Sequence, residues 1–83
     1  MKKLLYFSAG WCGPCRQLGP VMEELQSEGV TVQKIDVDSN PELCQSFNIK
    51  NVPTVVLTVN DIDKGRKIGF NPKNAYLEMY NQG

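Results

Sequence analysis

The sequence predicts an α/β fold in which three helices flank a mixed four-stranded sheet, with the elements in the order β-α-β-α-β-β-α. Three observations predict this class. Runs rich in β-branched and aromatic residues alternate with segments whose apolar residues recur at helical spacing. One helix separates the first two runs, which implies parallel strands joined by a right-handed crossover. Turn-forming residues alone separate the last two runs, which is typical of an antiparallel hairpin.

The first strand leads directly into the first helix. Residues 3–8 (Lys-Leu-Leu-Tyr-Phe-Ser) form the short apolar and aromatic run of a buried strand. Residues 16–28 predict a helix that ends at Gly29, and Pro20 inside it is expected to bend it. The apolar residues of this helix recur at i, i+3, i+4 and i+7 and define one face: Leu18, Val21, Met22 and Leu25.

The middle of the chain adds a strand, a short helix and a further strand. Residues 30–37 are rich in β-branched types and predict the second strand. Residues 40–42 (Asn-Pro-Glu) combine a capping side chain, a proline for the first turn and an acid, so a helix is expected to continue to about residue 47. Residues 54–59 (Thr-Val-Val-Leu-Thr-Val) predict the third strand.

The last third of the chain predicts a hairpin and a final helix. Residues 60–65 contain turn-forming residues and precede a shorter strand at residues 66–70. The charged side chains of this hairpin are expected to be solvated. Asn71 and Pro72 repeat the cap-and-proline signal and open the helix. We expect three of its aromatic and apolar side chains to face the core: Tyr76, Leu77 and Tyr80.

Length and composition indicate one globular domain, residues 1–83. Nine Lys and Arg residues balance nine Asp and Glu residues, so no basic field would attract nucleic acid or anionic lipid. The opening apolar run is too short for a signal peptide or a membrane span. Three cysteines are the wrong number for a secreted disulfide scaffold. We therefore expect a cytoplasmic monomer without a cofactor.

Two residues separate the thiols of Cys12 and Cys15, which lie immediately before the predicted first helix. The first turn of a helix presents unpaired N–H groups and the positive end of the helix dipole, which stabilise a thiolate. We expect Cys12 to be the exposed nucleophile, and Cys15, one turn deeper, to resolve the mixed disulfide. Pro14 stiffens the turn and removes an unpaired donor, while Gly13 lets a partner approach closely.

The cysteine pair has two other interpretations. A purely structural disulfide would close a very short loop, and so short a loop restrains the unfolded chain little. A tetrahedral zinc site needs four ligands, and in a chain without histidine only Cys44 and carboxylates could complete the set. Redox chemistry is therefore the favoured interpretation.

Residues 11–15 (Trp-Cys-Gly-Pro-Cys) match the active-site motif of the thioredoxin family in full, and the resemblance extends over nearly the whole chain. Four further positions resemble family features: the helix-kinking Pro20, a buried lysine at Lys34, the cis-proline segment at Val52-Pro53-Thr54, and Gly69 in the substrate groove. The resemblance implies a thioredoxin fold of minimal size. It also implies an electron carrier that reduces protein disulfides and is recharged by a thioredoxin-reductase-like donor. The residues expected to contact substrate are Trp11, Gly13, Pro14, Val52, Pro53 and Gly69.

The sequence departs from the family at Tyr6, where typical members carry a buried aspartate, and family members usually have a further strand and helix before this point. A phenol is a much weaker base than a carboxylate at neutral pH. Water, Lys34 or another carboxylate must then take the proton of Cys15. Tyr6 and Lys34 are accordingly the residues expected to tune the site.

Several residues have an alternative interpretation, and the predicted function has two alternatives. Trp11 is expected at an exposed rim rather than in the core, and Pro53 in the cis form rather than the trans form. Cys44 is expected to be a buried apolar residue, with a regulatory thiol as the alternative. Lys34 is either an edge residue reaching water or a buried amine. A glutaredoxin-like, glutathione-dependent reductase and a binding module with incidental thiols are the alternative functions.

Overall fold

The computed structural model describes residues 1–83 and confirms the predicted order of elements. The strands and helices are β1 (Lys2–Ser8), α1 (Gly13–Ser27), β2 (Val32–Asp36), α2 (Pro41–Ser46), β3 (Thr54–Val59), β4 (Ile62–Ile68) and α3 (Lys73–Gln82). None of the helices combines the length and apolarity that crossing a bilayer requires.

The four strands form one mixed sheet in the order β2-β1-β3-β4. β1 pairs parallel with β2 and antiparallel with β3, and β3 pairs antiparallel with β4. Helices cover both faces of the central strands β1 and β3. This explains why the sequences of these two strands are nearly continuous apolar runs. The carboxyl end of β1 therefore delivers the cysteine motif to one end of the sheet.

Alternation along β1 divides the core between the two faces of the sheet. Leu4 and Tyr6 pack on the face that α1 and α3 cover, whereas Leu5 and Phe7 pack on the face that α2 covers. Tyr76 of α3 is fully buried, as expected, while Leu77 and Tyr80 are half-buried at the rim of the first cluster. α1 continues through Pro20 to Ser27.

Three element boundaries differ from the sequence prediction. α1 begins at Gly13 rather than at residue 16, because the cysteine motif itself forms the first turn. β2 is shorter, and β4 begins at Ile62 rather than at residue 66. The turn of the hairpin needs only Asn60 and Asp61, whose φ angles of 53° and 67° are those of a tight hairpin turn. A register shift beside Leu57 then accommodates the strand.

Candidate active site

The cysteine motif lies at the junction between β1 and α1. Cys12 is the N-cap residue of α1, and its Sγ accepts a hydrogen bond from the backbone N–H of Cys15 at 3.2 Å. Pro14 occupies the first turn, where its missing N–H removes one unpaired donor. Cys12 and Cys15 form a disulfide with a Cα–Cα distance of 5.3 Å. The predicted position of the pair at a helix N-terminus is thus confirmed.

Both cysteines are buried in the disulfide-bonded form, with 4% of Cys12 and 5% of Cys15 exposed. The expectation of an exposed Cys12 is therefore wrong for this form of the protein. The physical reason is packing, because Ala9, Val37 and Val52 cover the pair from three different segments of the chain.

Trp11 stands at the rim of the site with 69% of its surface exposed, which confirms the expectation of a rim position over a core position. Its indole Nε1–H donates a hydrogen bond to Oδ2 of Asp38 at 3.0 Å. That bond ties the loop before α1 to the turn after β2. The large aromatic surface is consequently oriented while remaining open to solvent.

The Val52–Pro53 peptide bond is cis, as expected, and the segment lies against the disulfide through Val52. The backbone N–H of Gly69 donates to the carbonyl oxygen of Pro53 at 2.8 Å. Gly69 has a φ of 81°, which favours glycine, and its neighbours Ile68 and Phe70 are exposed. Val52, Pro53 and Gly69 are therefore brought to the same end of the sheet as the cysteines.

Tyr6 is only 2% exposed and lies beneath the first turn of α1. Its hydroxyl donates a hydrogen bond to the carbonyl oxygen of Cys15 at 2.9 Å. Burial raises the pKa of Tyr6, because the ionised phenolate would be poorly solvated there. Tyr6 is thus a protonated donor that holds Cys15, and it is even less able to act as a base than the residue type alone suggests.

Lys34 is exposed on the edge strand β2, so the edge interpretation is correct and the buried amine is wrong. The register of β1 and β2 sets Lys34 directly beside Tyr6. Lys34, Tyr6 and Cys15 all line one open cavity of about 580 Å³. The sequence could not decide the exposure of this lysine because the order of the strands in the sheet decides it.

Cys44 is half-buried rather than buried, because α2 has only six residues and covers only part of the sheet. Together with Trp11 and Val52 it lines a groove of about 630 Å³ beside the disulfide. Burial raises the pKa of the Cys44 thiol, and the nearby carboxylates of Asp36 and Asp38 raise it further. Sequence reasoning missed this groove and both aspartates, although all of them belong to segments adjoining the predicted site.

Comparisons with known proteins agree with this geometry. A family model described as Thioredoxin matches residues 1–82. Thioredoxin from Rickettsia bellii is 40% identical over 81 residues, which cover 94% of this chain and 77% of that protein. A Mycobacterium leprae protein named bifunctional thioredoxin reductase/thioredoxin is 42% identical over 77 residues, which cover 89% of this chain and 17% of that protein. A solved mutant thioredoxin from Halobacterium salinarum has a TM-score of 0.92 and 34% identity, covering 98% of this chain and 73% of that one.

The fold, the sequence relatives and the adjacent sulfurs lead to one conclusion. A disulfide at the N-terminus of a helix can exchange reversibly with other thiols and disulfides. The glutaredoxin-like reductase and the binding module are not favoured by the relatives found. The chain belongs to the thioredoxin family and is a thiol–disulfide oxidoreductase of the protein-disulfide reductase type.

Proposed function

We propose that the Cys12–Cys15 couple transfers electrons to disulfides in other proteins, with Cys12 as the attacking thiolate and Cys15 as the resolving thiol. The observation that carries this assignment is the N-cap position of Cys12, whose sulfur faces the backbone N–H of Cys15 at 3.2 Å. The helix N-terminus stabilises negative charge on that sulfur more than on one held inside the helix. Cys12 therefore has the larger thiolate fraction in the reduced protein.

The reaction proceeds in two exchanges. The Cys12 thiolate attacks one sulfur of the substrate disulfide, and the other substrate sulfur leaves as a thiolate that takes up a proton. Cys15 then loses its proton and attacks the Cys12 sulfur, which releases the second substrate thiol. The protein ends with the Cys12–Cys15 disulfide, having given two electrons to the substrate. The second step is intramolecular, and the Cα–Cα distance of 5.3 Å makes it fast because the two sulfurs are held close together.

The substrate surface surrounds this disulfide. The backbone N–H and C=O groups of Val52 form no backbone hydrogen bond within the protein, so they are free to pair with an extended substrate segment. Trp11 and the strand end around Gly69 offer exposed apolar surface on either side. No side chain lies within 4 Å of the Cβ position of Gly13, which supports a close approach of the partner at that point. Pro14 and Pro53 complete the proposed contact surface.

A reductase of the thioredoxin-reductase type is the electron donor we propose. The Mycobacterium leprae relative combines both names in one polypeptide, which supports this class of partner. The balanced net charge provides no basic field that would attract nucleic acid or an anionic membrane surface. We propose that the protein acts as a cytoplasmic monomer.

Reduction of insulin disulfides by the isolated protein with dithiothreitol as electron source tests the function. We expect turnover by the wild type and by Cys44→Ala, and none by Cys12→Ser. Absence of wild-type turnover would contradict the proposal and favour a binding role.

Trapping of mixed disulfides tests the division of labour. Cys15→Ser should accumulate covalent complexes with insulin chains because the resolving thiol is missing, whereas Cys12→Ser should accumulate none. Equal trapping by both variants would show that the assigned roles are wrong.

A further inference from the structure

The resolving step requires a group that accepts the proton of the Cys15 thiol. This inference rests on the proposed function, in which Cys15 attacks the mixed disulfide. Cys15 must become a thiolate before or during that attack, and burial disfavours the charged form. Tyr6 contacts Cys15, but its hydroxyl donates to the Cys15 carbonyl and burial raises the pKa of Tyr6. The proton must therefore go to another group.

The cavity of about 580 Å³ between β1, β2 and α1 connects Cys15 with solvent. Besides Cys15, it is lined by polar and charged side chains, and its volume is ample for several water molecules. Two carboxylates reach it, Asp36 from β2 and Glu23 from α1. Other titratable or charged groups also lie near the two cysteines: Tyr6 on β1, Arg16 on α1, Lys34 on β2, Asp38 after β2 and Cys44 on α2. Asp36 and Asp38 contribute to the raised pKa of the Cys44 thiol.

Asp36 is the better placed of the two carboxylates. It pairs in register with Ser8, so its side chain lies on the same face of the sheet as Tyr6. The following residue, Val37, packs against the cysteine pair. Glu23 is exposed and lies eight residues along α1 from Cys15, which corresponds to about 12 Å of helix.

The Asp36 carboxylate is also held in position. Its Oδ2 accepts a hydrogen bond from the Ser39 hydroxyl at 2.8 Å, and its backbone carbonyl accepts one from the Asn40 side chain at 2.9 Å. Oδ1 forms no hydrogen bond within the protein. Asp36 is half-buried and lines the cavity, and the Ser39 hydroxyl orients its carboxylate there.

We propose that Asp36 accepts the proton of Cys15, through water in this cavity, as Cys15 attacks the mixed disulfide. The Cys15 S–H bond breaks and the proton passes to the carboxylate, while the sulfur electron pair forms the new bond to Cys12. The bond between Cys12 and the substrate sulfur breaks, and that sulfur leaves with its electron pair. The proton on Asp36 then returns to solvent or to the departing thiolate, which restores the carboxylate. Neither a metal nor a further oxidant is needed.

A negative charge near Cys15 has a second, opposite effect, because it repels the thiolate that forms there. Lys34 lies two residues before Asp36 on the same face and offsets part of that repulsion. The two effects differ in sign. Loss of the carboxylate slows the resolving step if proton acceptance dominates and speeds it if repulsion dominates.

The test separates the two exchanges in time by reacting the reduced protein with 5,5′-dithiobis(2-nitrobenzoate). The first release of coloured thiolate reports attack by Cys12, and the second reports resolution by Cys15. All variants carry Cys44→Ala so that the third thiol does not contribute. Asp36→Asn keeps the shape of the side chain and an oxygen for the Ser39 hydroxyl, and Glu23→Gln is the matched control from the same cavity.

We expect Asp36→Asn to slow the second phase about tenfold or more near pH 7 and to leave the first phase unchanged. The second phase of the variant should rise with pH and approach the wild-type rate at alkaline pH, because the Cys15 thiol then loses its proton to solvent without an internal acceptor. Asp36→Glu should recover part of the rate, and Glu23→Gln should behave as the wild type.

Three results would overturn the proposal: an unchanged or faster second phase in Asp36→Asn, slowing by the same factor at every pH, or an equal effect of Glu23→Gln. If Asp36→Asn fails to fold, the wild type still decides, since a second phase that rises tenfold per pH unit from about pH 6 to about pH 8 would exclude an internal acceptor. Loss of the first phase in the wild type would instead refute the role of Cys12 in the proposed function.

Discussion

The hydroxyl of Tyr6 donates a hydrogen bond to the carbonyl oxygen of Cys15 at 2.9 Å, which joins the central strand to the first turn of the helix that carries the disulfide. Because Tyr6 is only 2% exposed, competition from water for this bond is weak. The resolving cysteine is therefore held through its backbone by a neutral donor, and both residues line the cavity that contains the charged side chains.

Removal of this hydroxyl should destabilise the protein. Tyr6→Phe keeps the aromatic packing but leaves the Cys15 carbonyl without this donor, so we expect a loss of about 1 to 2 kcal/mol in the free energy of unfolding. Urea denaturation of the oxidised protein measures it. Tyr76→Phe is the matched control, since the Tyr76 hydroxyl lies 3.4 Å from the Gly69 carbonyl and its loss should cost less. Equal losses in the two variants would contradict the prediction.

The three thiols should differ in reactivity once the disulfide is reduced. Limiting iodoacetamide near pH 7 should alkylate Cys12 first, because the helix N-terminus favours its thiolate. Cys44 should react slowly, since burial and the nearby carboxylates raise its pKa and reduce its thiolate fraction at that pH. Peptide mapping by mass spectrometry gives the order. Labelling of Cys15 or Cys44 ahead of Cys12 would refute the assigned nucleophile.

Trp11 should contribute to the binding of protein substrates and little to the free energy of unfolding. With 69% of its surface exposed, Trp11→Ala should change the free energy of unfolding by no more than about 0.5 kcal/mol. Loss of the aromatic contact should raise KM for a protein disulfide several-fold, as measured with insulin. Ile62→Ala is the control, because Ile62 is also exposed but pairs with Val59 at the opposite end of the sheet. A rise in KM for the control as large as for Trp11→Ala would disprove a specific contact.

Lys73 should stabilise the contact of α3 with α1 in a manner that depends on pH and salt. Its ammonium donates to Glu28 at 2.6 Å and to Glu24 at 2.9 Å, and these hydrogen bonds raise the pKa of Lys73. The folded state thus holds the proton more tightly than the unfolded state. The stabilisation is complete below about pH 10, the ordinary range of a lysine, and is lost as the pH rises through the raised value.

Lys73→Met should accordingly lower the urea midpoint slightly near neutral pH in low salt, and the difference should shrink in high salt. The difference should vanish only when the pH exceeds the raised pKa of Lys73, where the ammonium is neutral in both the folded and the unfolded state. Lys64→Met, on β4 and outside any ion pair of this structure, controls for the loss of a surface charge. A midpoint difference that persists at alkaline pH would show that packing of the stem, not the ion pair, stabilises the contact.

Local signals in the sequence determined most of the architecture and the identity of the reacting atoms. The spacing of Cys12 and Cys15 before an amphipathic segment was sufficient to predict a redox-active pair at a helix N-terminus. Apolar and β-branched runs predicted the first three strands, and turn residues predicted the hairpin that adds the fourth. Resemblance to the family added the cis bond before Pro53. These features depend on residues within one or two turns of each other, or on a motif that the chain contains in full.

Only the tertiary structure decided what surrounds the sulfurs. Burial of Cys12 results from Val37 and Val52, which are distant in sequence, and the exposure of Lys34 results from the place of β2 at the edge of the sheet. The parallel register of β1 and β2 sets Asp36 beside Ser8 and, with it, on the wall of the cavity that reaches Cys15. Strand order and register arise from the packing of the whole domain, so no local pattern in the sequence could have assigned these neighbours.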